Sequence, residues 1–247
     1  MATADSVKTK LQGLIDTANA TTGKEDATLT AALNSLIGGF GSGGGGNAEA
    51  YLAMINGTDI PDGGGKITIP EGVTRVPNSL YSALPATIAY NVILPSTMKR
   101  LGQSAFSQLA YSMGSNGASV VFNDGLESIG ATCFSRANRC VFMNIPNSLV
   151  DIGAQAFSNA CSNASISAYS EDLHFPEMKT IGASAFSGFR FEGAQIHIGS
   201  KIESIGASAF AFYGSPAFTL TIDRAEGTVE GAPWGATNAT IVWEGDA

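Results

Sequence analysis

His174 and His197 are the only histidines of the chain. Any Ser-His-Asp relay or histidine-ligated metal must therefore use one of them. His197 stands in "QIHIG", alternating with Ile196 and Ile198, so it is expected on the outer face of a strand. No candidate nucleophile accompanies it. His174, in "EDLHFP", has Glu171 and Asp172 close by in sequence. That trio is a weak metal constellation or simply loop charge, and loop charge is the preferred reading. Cys133, Cys140 and Cys161 form no C-x-x-C pair and are odd in number, so each reads as a small apolar core residue. "NDGLE" (123–127) lacks the alternating carboxylates of a calcium loop. A carboxylate pair for sugar cleavage is invisible to sequence, because it is defined by separation in space. Gly39-x-Gly41-x-x-Gly44 has the letters of a dinucleotide fingerprint. That fingerprint needs a preceding strand, whereas here a helical pattern precedes and more glycine surrounds it. The expectation is a non-enzyme with no catalytic residue, no cofactor and no metal.

The elements that would position such residues are written in the composition. Of 247 residues, 44% are hydrophobic, only 14% are charged, and 30 are glycine. This is ample apolar area for a core, cut by many short turns. Net charge is −8, with 13 basic residues and no basic run, which argues against nucleic acid. The first twenty residues lack the apolar run and cleavage site of a secretory signal. No window of about 18 apolar residues suggests a membrane helix. Release by a route other than a signal peptide is expected, with no membrane insertion.

Residues 1–38 carry two short helical stripes. Val7, Leu11, Leu14, Ile15 and Ala18 form the first; Leu29, Leu33, Leu36 and Ile37 form the second, after a break at "TTGKED". Isolated helices of this length are marginal, so Leu11, Leu14, Leu29, Leu33 and Leu36 need a partner. Residues 39–48 read as a glycine-rich linker, and 49–247 as a repeat domain with terminal caps. "AYLAMINGTDI" (50–60) is the candidate first cap; 232–247, with Trp234 and Trp243, is the second.

Within the repeat domain, "MKRLGQSAF" (98–106), "LVDIGAQAF" (149–157), "MKTIGASAF" (178–186) and "IESIGASAF" (202–210) are nearly one text. The aromatic closing each unit is Tyr81, Phe106, Phe134, Phe157, Phe186 and Phe210, at spacings of 25, 28, 23, 29 and 24 residues. A weaker unit ends at Trp234. Such a period with short strand-like runs predicts coils stacked into a solenoid. "ITIP", "VILP", "VVFN", "IHIG" and "LTID" are expected to pair as one parallel sheet. Phe106, Phe134, Phe157, Phe186 and Phe210 are the expected core column, with alanine letting coils approach. The glycine after each Ile or Leu is expected to supply positive φ in a sharp turn.

The units disagree in the segments after the aromatic, at 107–119, 158–172, 187–194 and 211–218. These carry Tyr111, Tyr169, Arg190 and Tyr213, residue types that anchor ligands when presented on a rigid scaffold. The alternative is loops folded on their own aromatics.

The unit IP-x-x-L-x-x-IG-x-x-AF resembles the BspA-type leucine-rich repeats of bacterial surface proteins. It implies a mainly β leucine-rich-repeat solenoid of stacked short parallel strands, here preceded by a short N-terminal helical hairpin. It also implies adhesion or protein binding, with no catalytic centre. "NATTGKEDATLTAALNSLIGGFG" (19–41) is similar to the N-terminal segment of phage and prophage tail or baseplate appendages, through Asn19, Gly23, Asp26, Leu29, Ala32, Leu36 and Gly39. That likeness implies docking on other virion tail or baseplate proteins, a possible homotrimer, a host surface protein or glycan as ligand, and location on the virion tail. A bacterial adhesin, at the cell surface or extracellular, is the alternative.

Overall fold

The computed structural model describes residues 65–69, 71–82, 90–111, 117–163 and 168–245. The expected helical stripes, the glycine-rich linker and the first cap at 50–60 lie outside the described residues.

The described chain is a succession of short strands, a longer and a shorter one in each coil as far as Ile205. The longer set is β1 (Gly65–Thr68), β3 (Tyr90–Ile93), β5 (Ala118–Val121), β7 (Cys140–Met143), β9 (Leu173–Phe175), β11 (Gln195–Ile198), β13 (Phe218–Ile222) and β14 (Ala239–Trp243). The shorter set is β2 (Arg75–Val76), β4 (Arg100–Leu101), β6 (Ser128–Ile129), β8 (Asp151–Ile152), β10 (Thr180–Ile181) and β12 (Ser204–Ile205). Every pairing is parallel, each strand against its equivalent one coil on.

The short strands run unbroken as one six-stranded sheet from β2 to β12. Val76, Leu101, Ile129, Ile152, Ile181 and Ile205 stand in register on its inner face, all buried. The long strands do not form the single sheet expected from their apolar runs. They form two four-stranded sheets, β1-β3-β5-β7 and β9-β11-β13-β14. The break falls between β7 and β9, where the longest variable segment enters. There Asn144, just past β7, adopts φ +59° and swings outward, and Ile145 takes the buried position. Asparagine tolerates this left-handed backbone better than most residues.

Between the sheets the closing aromatics form a column. Successive ring centroids from Tyr81 through Phe106, Phe134, Phe157, Phe186 and Phe210 lie 5.0, 5.5, 5.4, 5.1 and 6.1 Å apart, with planes within 18° of parallel. That step follows the strand-to-strand spacing of about 4.8 Å. Phe122, Phe142, Phe189 and Phe212 meet the column edge-on or tilted. Ala105, Cys133, Ala156, Ala185 and Ala209, each just before its aromatic, are fully buried. Trp234 is buried and meets half-buried Trp243 edge-on at 6.0 Å.

The repeated glycine serves a purpose other than the expected one. Positive φ falls two residues later, on Ser104, Thr132, Gln155, Ser184 and Ser208, at 53–57°. Those residues turn their N–H groups toward the next coil, as when Ser104 donates to the Ala131 carbonyl and Ser184 to that of Ala207. The glycine itself is where two backbones touch. Gly153 donates its N–H to the Ile129 carbonyl of the preceding coil at 2.8 Å. A Cβ on Gly153 would stand 2.3 Å from the Ala131 nitrogen, and one on Gly182 2.3 Å from that of Ala154.

Candidate functional site

The residues just after the closing aromatics are bonded from coil to coil, as when the Gln108 N–H donates to the Ser135 carbonyl and the Asn159 N–H to that of Ser187. Of the four candidate ligand contacts, two are set on neighbouring coils in this way. The Tyr213 N–H donates to the Phe189 carbonyl, next in sequence to Arg190, at 2.9 Å. Tyr213 is 56% exposed. The Arg190 guanidinium pairs with Glu192 at 3.0 Å. Tyr111 is also exposed, but it belongs to the segment after Phe106, three coils from Arg190 and four from Tyr213. Tyr169 is corrected: it is buried, 4% exposed. Its hydroxyl donates to Glu171 at 3.0 Å, and its backbone bridges to Phe191. Burial, with the Glu171 carboxylate beside it, raises the phenol well above the ordinary range. An aromatic in a long insertion looks like a contact residue from sequence; here the ring lies in the core, 6.1 Å from that of Phe189.

A second surface was not foreseen. Ile93, Val121 and Met143 stand in register across β3, β5 and β7. Ile93 is 43% and Met143 38% exposed. They form an apolar row on the outer face of the first long-strand sheet. "VILP", "VVFN" and "VFMN" are apolar at successive positions, so alternation gives no sign of which face points out.

The trio of Glu171, Asp172 and His174 is not held together as a cluster. Asp172 accepts the N–H groups of Ala194 and Gln195 at 2.9 and 2.8 Å, and Glu171 is held by Tyr169. His174 lies in a strand, not a loop, and stands in register with His197, their rings edge-to-face at 6.3 Å. His197 faces the other way along its sheet. Its Nε2 is 2.7 Å from Asp223 Oδ1, and with Glu244 the three offer ligand atoms within 4.8 Å of one another. Sequence reading missed this group because its members are a whole coil apart, and only the register makes them neighbours.

At the open edge of β12 an acidic groove of about 600 Å³ is lined by Glu203, Ser204, Thr228 and Glu230. Val229 fills the core position of the next coil there without a short strand around it.

The buried residues are all apolar, tyrosine or cysteine. The three thiols are buried. Burial pushes Cys161 up to about 11, and Cys133 and Cys140 well above the ordinary thiol range. The reactive thiolate is therefore suppressed. In the native protein at pH 8, a disulfide reagent such as DTNB is expected to modify these thiols at least about 100-fold more slowly than in urea. Protonated thiols favour the fold fully below the unfolded value of 9.0, and Cys161 loses that contribution as pH rises toward about 11. The urea midpoint should accordingly fall over that window, and fall less in Cys161→Ala.

A family model for a BspA-type leucine-rich repeat region of six copies matches residues 65–170 and 108–213. The two matches overlap and together span more than half of the chain. No curated protein matches it. Coils in register, an Ile-Gly-x-x-Ala-Phe turn at 152–157, 181–186 and 205–210 with near variants at 101–106 and 129–134, and this match make the chain a member of the BspA-type leucine-rich repeat family, whose repeats serve as protein-interaction or adhesin modules.

Proposed function

We propose that the protein is a tail or baseplate appendage of a phage or prophage, in which the solenoid recognises the host surface and residues 1–38 dock to the virion. The ligand is a surface protein or glycan. The recognition half rests on one observation: a backbone bond from the Tyr213 N–H to the Phe189 carbonyl sets Tyr213, more than half exposed, on the coil next to Arg190. Arginine and tyrosine combine large contact area with directional hydrogen bonding at little entropic cost. The docking half rests on the 19–41 segment and its likeness to appendage N-termini. In this reading Leu11, Leu14, Leu29, Leu33 and Leu36 pack against virion proteins or sister chains, a trimer among the arrangements that suit such stripes.

Two variants separate the halves. Deleting residues 1–38 should leave the solenoid folded and keep it off particles; truncated protein found on virions overturns docking. Tyr213→Ala with Arg190→Ala should weaken binding to host cells at least about tenfold at an unchanged melting midpoint. Undiminished binding overturns this pair as the recognition surface. The family match favours a second reading, a cell-surface adhesin. That reading predicts the full chain on the bacterial envelope and never on particles.

A further inference from the structure

We propose that His197, Asp223 and Glu244 form a binding site for a divalent transition-metal ion of the zinc class, and that the ion ties the coil carrying β14 to the two before it. The sheet ladder builds the site. His197 lies within β11, Asp223 directly follows β13, and Glu244 directly follows β14. Backbone bonds continue past the strands to hold both carboxylate residues in place. The Asp223 N–H donates to the Ile198 carbonyl at 3.0 Å, and the Glu244 N–H to that of Ile222 at 2.9 Å. Three successive coils thus each contribute one ligand from fixed backbone.

The donor set selects the ion. One imidazole nitrogen with two carboxylates suits zinc and its neighbours; magnesium and calcium prefer oxygen alone. Ligand atoms around a tetrahedral zinc at about 2.1 Å stand roughly 3.4 Å apart. The present spread, within 4.8 Å, closes to that by rotation of side chains that reach solvent. The His197–Asp223 hydrogen bond would be replaced by shared coordination, and two carboxylates balance the charge of a divalent ion.

Two basic side chains near this end of the sheet are engaged elsewhere. Arg224, beside Asp223, turns its guanidinium to the carbonyls of Ser200 and Ile202. Lys201 pairs with Glu177. Both histidines of the chain are adjacent on this one sheet face, in register, but only His197 stands with the two carboxylates. Any histidine-dependent metal affinity of the protein must arise here. An ion would also act at an edge strand of the fold. Among the described residues β14 has β13 as its single neighbour, and its residues are half-buried or exposed.

The test uses the tag-free full chain, stripped with chelator and titrated with Zn²⁺ by calorimetry and with Co²⁺ by visible absorption. One equivalent should bind, with the d–d bands of an ordered site. Zn²⁺ at saturation should raise the melting midpoint by about 3 °C or more. It should also slow amide exchange across residues 239–243. His197→Gln and Asp223→Asn should each weaken binding at least about tenfold without shifting the metal-free melting midpoint. His174→Ala, which leaves the triad whole, should hold affinity within about threefold. Three results overturn the proposal: no saturable binding below about 1 mM, wild-type affinity in His197→Gln, or equal loss from His174→Ala.

Discussion

Phe157→Ala is expected to destabilise the protein by about 3–5 kcal/mol, among the larger losses available to a single truncation. The ring has no solvent exposure and sits in mid-column, 5.4 Å from Phe134 and 5.1 Å from Phe186. Phe142 and Phe189 meet it from the side at 5.3 and 5.9 Å. Removing it takes away apolar burial and leaves a hole among large rings. The hole cannot shrink much. Neighbouring coils are tied by ladders on both sides of the column, among them the Phe134 N–H to Ala156 carbonyl bond at 2.7 Å and the Phe157 N–H to Ala185 carbonyl bond at 2.8 Å. Cavities that do not relax are the costly kind.

The form of the loss is informative too. In a stacked fold, stability is a sum of coil terms and nearest-neighbour interfaces, so weakening one interior coil can uncouple the two sides. Urea unfolding of Phe157→Ala should show a lower midpoint and a shallower slope, the sign of broken cooperativity. A loss under about 1.5 kcal/mol, the size of a conservative core change, would mean the column is not what holds the coils together.

What was legible in the amino-acid text follows from what repeats. Ile, Ala and Phe recur at fixed offsets because each must meet its own equivalent in the next coil, and such self-contact is readable without coordinates. The short-strand sheet was not legible: two residues such as Thr180-Ile181 are too few to show alternation. The split of the long-strand sheet was not legible either: it falls next to Asn144, an exposed residue at positive φ whose identity permits a bend without announcing one. The surfaces were least legible. Tyr169 and Tyr213 are the same residue type in equivalent segments, yet one is core and the other exposed. The cluster of His197, Asp223 and Glu244 exists only once register places three coils side by side.

The repeated glycine offers the sharpest test of the geometry, because two explanations predict different outcomes. If glycine were there for backbone freedom, Gly153→Ala would cost about 1 kcal/mol, the usual penalty for forcing a side chain into left-handed backbone. Close approach predicts about 3 kcal/mol or more, since the new methyl meets backbone and not a movable side chain. At Gly153 the Ala131 nitrogen and Cα would lie 2.3 and 2.7 Å from the added carbon. Those atoms cannot withdraw, because the Gly153 N–H is bonded to the Ile129 carbonyl of that same preceding coil. Two other glycines calibrate the measurement. Gly214 has φ +75° and nothing within 4 Å of an added Cβ, so Gly214→Ala isolates the conformational penalty. Gly125 has neither positive φ nor a contact under 3.4 Å, and Gly125→Ala should change stability by no more than about 0.5 kcal/mol. The expected order of urea midpoints is Gly125→Ala, then Gly214→Ala, then Gly153→Ala far below. Equal losses at Gly153 and Gly214 would show that the coils can part by the width of a methyl group. A solenoid that loose could not keep its edge residues at fixed spacing for a partner to read.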